Sequence, residues 1–296
     1  MKNELKMNTI DLGKATEDFI TYLDVNEETL RCYKEGIKKF LEYLKNIEVK
    51  YPTREHIRAF REELSKSSSI YTVNSYLTSL RRFFDYLEAN NLYQNITHGI
   101  KSLKSSKVPV KQVLSEDECK RIYRSLTDKR EKAIFSLAIT TGLRATEITL
   151  AKIENIKLYN GEVVLFVKCK KRDDENEYVK LSEQVLKDIQ DYIENRTSGY
   201  IFVATSYNNN GGGMSTVAIR SIVKNIFKRF GYDDRGFSCH SLRRSSATLM
   251  YQAGQNLNEI KQVLHHNSIQ TTIRYVNSCT RKNNHSEEVV SNMLFG

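Results

Sequence analysis

The stretch from residue 101 to 112 constrains the fold of this chain more than any other. Lys101-Ser102-Leu103-Lys104-Ser105-Ser106-Lys107-Val108-Pro109-Val110-Lys111-Gln112 holds four lysines, three serines and one of only two prolines. It offers no apolar face to bury and reads as an extended, basic linker. It divides the 296 residues into an expected helical domain over 1–100 and a second domain over 113–296. That division suits a length too great for most single cores.

Before the break, apolar residues recur at helical spacing. Ala15, Phe19, Ile20 and Leu23 predict a helix from Asp11 to Leu23, after a polar start that should fray. Leu30, Tyr33, Ile37, Phe40, Leu41 and Leu44 predict a second from Glu27, with Asn26 as its N-cap. Thr53 is expected to cap a third helix, bearing Ile57, Phe60 and Leu64. The longest should run from Ile70 to Asn90, with Val73, Tyr76, Leu77, Leu80, Phe83, Phe84 and Leu87 inward. Arg81, Arg82 and the Lys38-Lys39 pair are either solubilising charges or phosphate contacts.

After the break the pattern is still mostly helical. Ser115 with Glu118 is a capping box opening a helix to about Leu126. A second helix from Lys129 carries Ala133, Ile134, Leu137 and Ala138 and is broken by Gly142. It restarts over Ala145–Leu150, which leaves Arg144 at a helix start, where guanidinium and free amides could both face an anion. Residues 161–167 and 177–181 switch to strand character around a charged hairpin tip, 168–176.

A helix over 182–194, an extended piece at 200–203 and a loop over 204–214 follow. The glycines of that loop match no phosphate-cradle spacing. Ser215 to Phe230 should be helical, with Val217, Ile222, Ile226 and Phe227 as its apolar residues. A helix from near Ser241, a turn at Ala253-Gly254-Gln255 and a helix to about Leu264 complete the series. The expected class is mainly α with a small β-sheet (α+β).

Net charge is +10, of which residues 1–106 carry only +2. The excess favours a polyanionic partner, though many basic proteins bind no nucleic acid. No apolar run approaches a membrane span, and residues 1–6 lack an apolar signal core, so a cytoplasmic protein is expected. Five dispersed cysteines without a C-x-x-C pair argue for reduced thiols.

Six side chains form a chemically coherent set: Arg144, Lys168, His240, Arg243, His266 and Tyr275. Arginine forks match phosphate bidentately, a lysine of lowered pKa can protonate a leaving oxygen, and histidine can accept a phenol proton. Plainer readings stand beside these. Arg144 could pair with Glu147, Lys168 could be one of several solvated hairpin cations, and either histidine could be structural. A zinc site from Cys239, His240, His265, His266 and Cys279 fits no standard ligand spacing. Tyr275 competes with sixteen other tyrosines as a nucleophile, of which Tyr251, in the same region but on an apolar helical face, reads as core.

Thr141-Gly142-Leu143-Arg144-Ala145-Thr146-Glu147, His240-Ser241-Leu242-Arg243, and Leu264-His265-His266-Asn267-Ser268 through Thr271-Thr272-Ile273-Arg274-Tyr275 together resemble the tyrosine recombinases. These are the phage integrase family, and the Xer-type members are the nearest pattern. The resemblance spans nearly the whole chain and implies an N-terminal core-binding domain and a catalytic domain. It implies that Arg144 and Arg243 bind a DNA phosphate, Tyr275 attacks it, and Lys168 protonates the leaving 5′-oxygen. His240 would be the acid/base, and His266 a further donor to the phosphate.

Neither metal nor cofactor is implied. The implied partners are double-stranded DNA and a homotetramer on two sites exchanging strands through a Holliday junction, with room for accessory DNA-bending proteins. Residues 286–295 would form a tail helix with Val290, Met293 and Leu294 available to pack on its own domain or on a neighbouring protomer. His265 stands where the family has glycine, so the two histidines could exchange roles, and Lys170 or Lys171 could serve in place of Lys168. Asn95-Ile96 replaces the family's Asn-Pro. A non-catalytic DNA-binding protein and a type IB topoisomerase-like relaxase are the rival readings.

Overall fold

The computed structural model describes residues 10–104, 112–167, 177–204, 212–280 and 291–294. Contacts group the chain into two units, Met1–Val108 and Pro109–Gly296. The class is the expected one, mainly helical with one small antiparallel sheet.

The N-terminal unit holds α1 (Leu12–Tyr22), α2 (Glu27–Asn46), α3 (Arg54–Ser67) and α4 (Ile70–Ala89). Each start has its cap. Asn26 accepts from the Thr29 amide at 3.0 Å, and the His56 ring accepts from the Thr53 amide at 2.9 Å. Phe19, Ile37, Phe40, Ile57, Leu80, Phe83 and Phe84 fill the core. Gly36 of α2 packs directly against α4, where an added Cβ would lie 2.7 Å from Ser79 Oγ and 2.8 Å from its Cβ. Gly36→Ala should therefore lower the unfolding free energy by about 2 kcal/mol despite alanine's better helix propensity, measured by urea denaturation.

The first residues of the expected linker are fixed to this unit. Asn74 donates to the Leu103 carbonyl at 2.9 Å and accepts from its amide at 2.8 Å. Arg61 donates to the Lys101 carbonyl at 3.0 Å. Arg81 donates to the carbonyl of Ile100 at 2.9 Å and to Ser102 Oγ at 3.2 Å. Arg81, which the sequence left open as a solubilising charge or a phosphate contact, uses these bonds to hold its own chain. Lys39 pairs with Glu42 at 3.0 Å.

The second unit comprises α5 (Glu116–Ser125), α6 (Lys129–Thr141), α7 (Ala145–Leu150), strands β1 (Ile156–Tyr159), β2 (Glu162–Val167) and β3 (Glu177–Lys180), then α8 (Glu183–Ile193), α9 (Thr216–Arg229), α10 (Cys239–Gln252), α11 (Leu257–Val263) and α12 (Ile269–Thr280). The strands pair antiparallel in the order β1-β2-β3, with Leu158 opposite Val163 and Leu165 opposite Val179. Strand β1 went unread because it is short and mostly exposed. The turn after it carried a signal: Asn160 and Gly161 have φ of 51° and 81°, the Asn-Gly pattern of a tight hairpin.

Ile134, Leu137, Ile148, Leu165, Ile189, Val223, Ile226 and Leu242 are fully buried in the core. One expected apolar position differs. Val217 is 73% exposed, and α9 turns Ile219 and Val223 inward in its place. The hairpin tip, with Lys168, Lys170 and Lys171, lies outside the described residues. Of the tail, residues 291–294 are helical with Met293 and Leu294 exposed, and the remainder of the expected tail helix is outside the described residues. No helix among the described residues is long and apolar enough to cross a membrane.

Candidate active site

The site is built where the end of α6 meets the start of α10. Gly142 adopts φ 66°, donates to the Ala138 carbonyl at 3.0 Å and reverses the chain into α7. Arg144 becomes the residue preceding α7. Its amide donates to Glu147 Oε2 at 2.7 Å, and its Nη1 to Glu147 Oε1 at 2.6 Å. Of the amides expected to face an anion here, that of Arg144 is occupied by the Glu147 carboxylate. The Arg144 side chain remains 35% exposed, which leaves part of the guanidinium in reach of solvent.

Arg243, on α10, is 1% exposed. It donates through Nη1 to the Gly142 carbonyl at 2.8 Å and through Nη2 to the Leu264 carbonyl. Glu147 Oε2 lies 3.8 Å from Nη1. Its Nε is buried with no partner among the described residues. Burial and then the charge of Arg144 lower its pKa, opposed by Glu147 and Tyr275. An arginine so placed stays cationic.

The turn after α11 separates the two adjacent histidines. His265 takes φ 49°, the left-handed region that suits a glycine. Its ring turns to β3, with Nε2 3.2 Å from the Tyr178 carbonyl and 3.5 Å from Glu177 Oε2. His266 turns to the arginines instead. Its Nδ1 lies 2.9 Å from Thr272 Oγ1, and its Nε2 is buried without a partner among the described residues. Burial, followed by Arg243 and Arg144, pushes its pKa down to about 3.

Tyr275, on α12, closes the site. Its hydroxyl is 2.8 Å from His240 Nε2, and its ring sits edge-on to His240 and His266 at centroid distances of 5.4 and 5.1 Å. Thr248 on α10 donates to the Tyr275 carbonyl at 3.3 Å. A small core of Ala247, Ile260, Leu264 and Val276 seats α12, and Tyr251 packs against it as expected of a core residue. The structure therefore brings together five of the six sequence-derived side chains, and the sixth, Lys168, lies outside the described residues.

Residues 112–282 match the phage integrase family. The chain belongs to that family. Residues 16–91 match the phage integrase N-terminal SAM-like domain. Tyrosine recombinase XerA of Pyrococcus horikoshii is 28% identical over 273 residues, 90% of this chain and 89% of its own length. Tyrosine recombinase XerD of Oceanobacillus iheyensis is 25% identical over 288 residues, 89% and 93% of the two chains. Among solved structures, a lambda integrase dimer bound to a COC′ core site superposes with a TM-score of 0.72 at 18% identity. It covers 94% of this chain and 80% of that one, a likeness of fold.

Two residues of this integrase-family site were not singled out as functional from sequence. Glu147 was weighed only as a partner for Arg144, and its place between two arginines needs α10 brought against α7. Thr272 stood inside a quoted motif, and only helical spacing from Tyr275, one turn away on α12, hinted at its inward direction. The zinc alternative finds no support among the described residues, where no three His, Cys, Asp or Glu side chains are grouped for a metal.

The neutral state of His266 has a consequence for stability. Unfolded, this imidazole takes up a proton near pH 6.5, and folded only near pH 3. Between those values the unfolded state binds more protons, so acid destabilises the fold. Replacing His266 with glutamine should flatten the stability profile of the integrase-family chain between pH 6.5 and 4, by about 2–4 kcal/mol at the acid end in urea titrations.

Proposed function

We propose that this chain performs site-specific DNA recombination with Tyr275 as the nucleophile. The observation that carries the reading is the Tyr275 hydroxyl 2.8 Å from His240 Nε2, in a site with two buried nitrogens that have no partner among the described residues, Arg243 Nε and His266 Nε2. Buried donors without partners are costly, and a phosphate diester has non-bridging oxygens of the right chemistry to meet them.

Arg144 and Arg243 hold the scissile phosphate and balance the charge that grows on it. The Tyr275 oxygen attacks phosphorus, its proton passes to His240 Nε2, and the bond from phosphorus to the 5′-oxygen breaks. Lys168, in the segment between β2 and β3, supplies the proton that makes the 5′-oxygen a hydroxyl. The product is a 3′-phosphotyrosine ester, and attack by a 5′-hydroxyl from a second duplex reverses the step and exchanges strands. Two such exchanges, through a Holliday junction in a tetramer on two sites, complete recombination. Integration or excision of a mobile element and resolution of DNA dimers both use this chemistry. The N-terminal unit serves as the core-binding domain.

The test is incubation with nicked suicide duplexes carrying candidate sites, then digestion and mass mapping of any denaturation-resistant adduct. A nucleotide-bearing peptide containing Tyr275 supports the reading. An adduct on another residue overturns the assignment.

A further inference from the structure

The two ring nitrogens of His266 have different surroundings. Nδ1 lies 2.9 Å from Thr272 Oγ1, and the two residues are 5% and 0% exposed. Nε2 is buried and has no hydrogen-bond partner among the described residues. A neutral imidazole carries one proton, so one nitrogen donates and the other accepts. The ring stays neutral through the working range, because burial and the two arginines hold its pKa near 3. What Nε2 offers to a bound molecule is therefore decided by tautomer, and Nδ1 has Thr272 as its hydrogen-bonding neighbour.

A hydroxyl donating to Nδ1 leaves the proton on Nε2 and makes it a donor. A hydroxyl accepting from Nδ1–H leaves a lone pair on Nε2, which would repel a phosphate oxygen. Arg144 and Arg243 share the single carboxylate of Glu147, so positive charge is left over that calls for an anion, and an anion calls for the donor form. We propose that Thr272 is a positioning residue whose hydroxyl donates to Nδ1 of His266 and fixes the Nε2–H tautomer, ready to donate to a non-bridging phosphate oxygen. The assignment deepens the recombinase reading and rests on it for the identity of the anion.

The position suits the task. Thr272 and Tyr275 are three residues apart on α12, so one helix carries both the attacking hydroxyl and the group that sets the histidine proton. Seating that helix on α10, where Thr248 donates to the Tyr275 carbonyl, would set both at once. His240 is different: its Nε2 faces the Tyr275 hydroxyl, a partner inside the reacting set.

The full chain labelled with 15N-histidine provides the direct test. Long-range proton–nitrogen correlation, with His266→Gln to assign the resonance, should show a protonated Nε2 and bare Nδ1 in the wild type and in Thr272→Ser. Thr272→Val should give averaged or exchanged nitrogens. A wild-type spectrum with the proton on Nδ1 would overturn the proposal.

Suicide-duplex cleavage adds the functional readout. At saturating DNA, Thr272→Val should cleave about 10–30-fold more slowly, as loss of one oriented hydrogen bond implies. Apparent DNA affinity should be unchanged, and Thr272→Ser should recover most of the rate. Wild-type cleavage by Thr272→Val, or equal losses in both variants with matching falls in Tm, would sink the positioning role. If the wild type forms no adduct on any duplex, the recombinase reading fails on its own, and the nitrogen spectrum still decides the role of Thr272.

Discussion

Tyr275→Phe is expected to abolish covalent capture of a nicked duplex, a loss of at least about 10⁴-fold, because the proposed nucleophile is removed. Little else in the fold should change. The phenyl ring keeps its edge-on contacts with His240 and His266 and its seat against the small core around Leu264. The missing hydrogen bond to the exposed His240 should cost no more than about 1 kcal/mol, so Tm should move by only a few degrees. DNA affinity should hold, since the arginines and the basic surface are untouched. This separation of chemistry from folding and binding is what a nucleophile predicts. A core tyrosine would show the reverse, with reduced Tm and proportionate loss everywhere. An adduct that survives the substitution would assign the chemistry elsewhere, and Tyr251, packed on the same small core, would be the first residue to examine.

Helices were legible where local rules decide them. Asn26 and Ser115 each accept from the backbone amide three residues on, as such residues do at helix starts. Gly142 was legible as a break because its left-handed φ suits glycine. Its second role was not. A Cβ there would lie 2.3 Å from Leu264 Cδ2, a contact 122 residues away along the chain that no local pattern encodes. Strand β1 escaped because an exposed edge strand lacks the apolar alternation that marks a half-buried one.

The candidate site shows the same limit. The residue types of Arg144, His240, Arg243, His266 and Tyr275 suggested phosphate chemistry, and their order matched a family. The partnerships among them were tertiary. Arg243, read from sequence as one of two phosphate-binding arginines, is among the most deeply buried large side chains and is held by two backbone carbonyls, neither of which the sequence indicated. Arg81, left open by the sequence as a solubilising charge or a phosphate contact, fixes its own chain. The difference lies in where a long side chain finds carbonyl acceptors, which depends on packing.

Glu147→Ala should produce the largest loss of stability of any single change in the site, about 3–5 kcal/mol, because it leaves buried positive charge without its counter-ion. The carboxylate is 2% exposed, accepts from the Arg144 amide and side chain at 2.7 and 2.6 Å, and lies 3.8 Å from Arg243 Nη1. Glu147→Gln should lose roughly half as much, since an amide oxygen can still accept one of those bonds while the charge is gone. Salt should restore little, because buried charges are weakly screened, in contrast to an exposed pair such as Lys39 with Glu42. An anion that enters the site should restore more. With Glu147 removed, two arginines face the space where the proposed phosphate sits, so DNA carrying a target site should raise the Tm of Glu147→Ala by more than it raises that of the wild type. Equal increments in the two proteins would mean that the arginine pair and the bound phosphate do not share one pocket, and the proposed site would fall with that result.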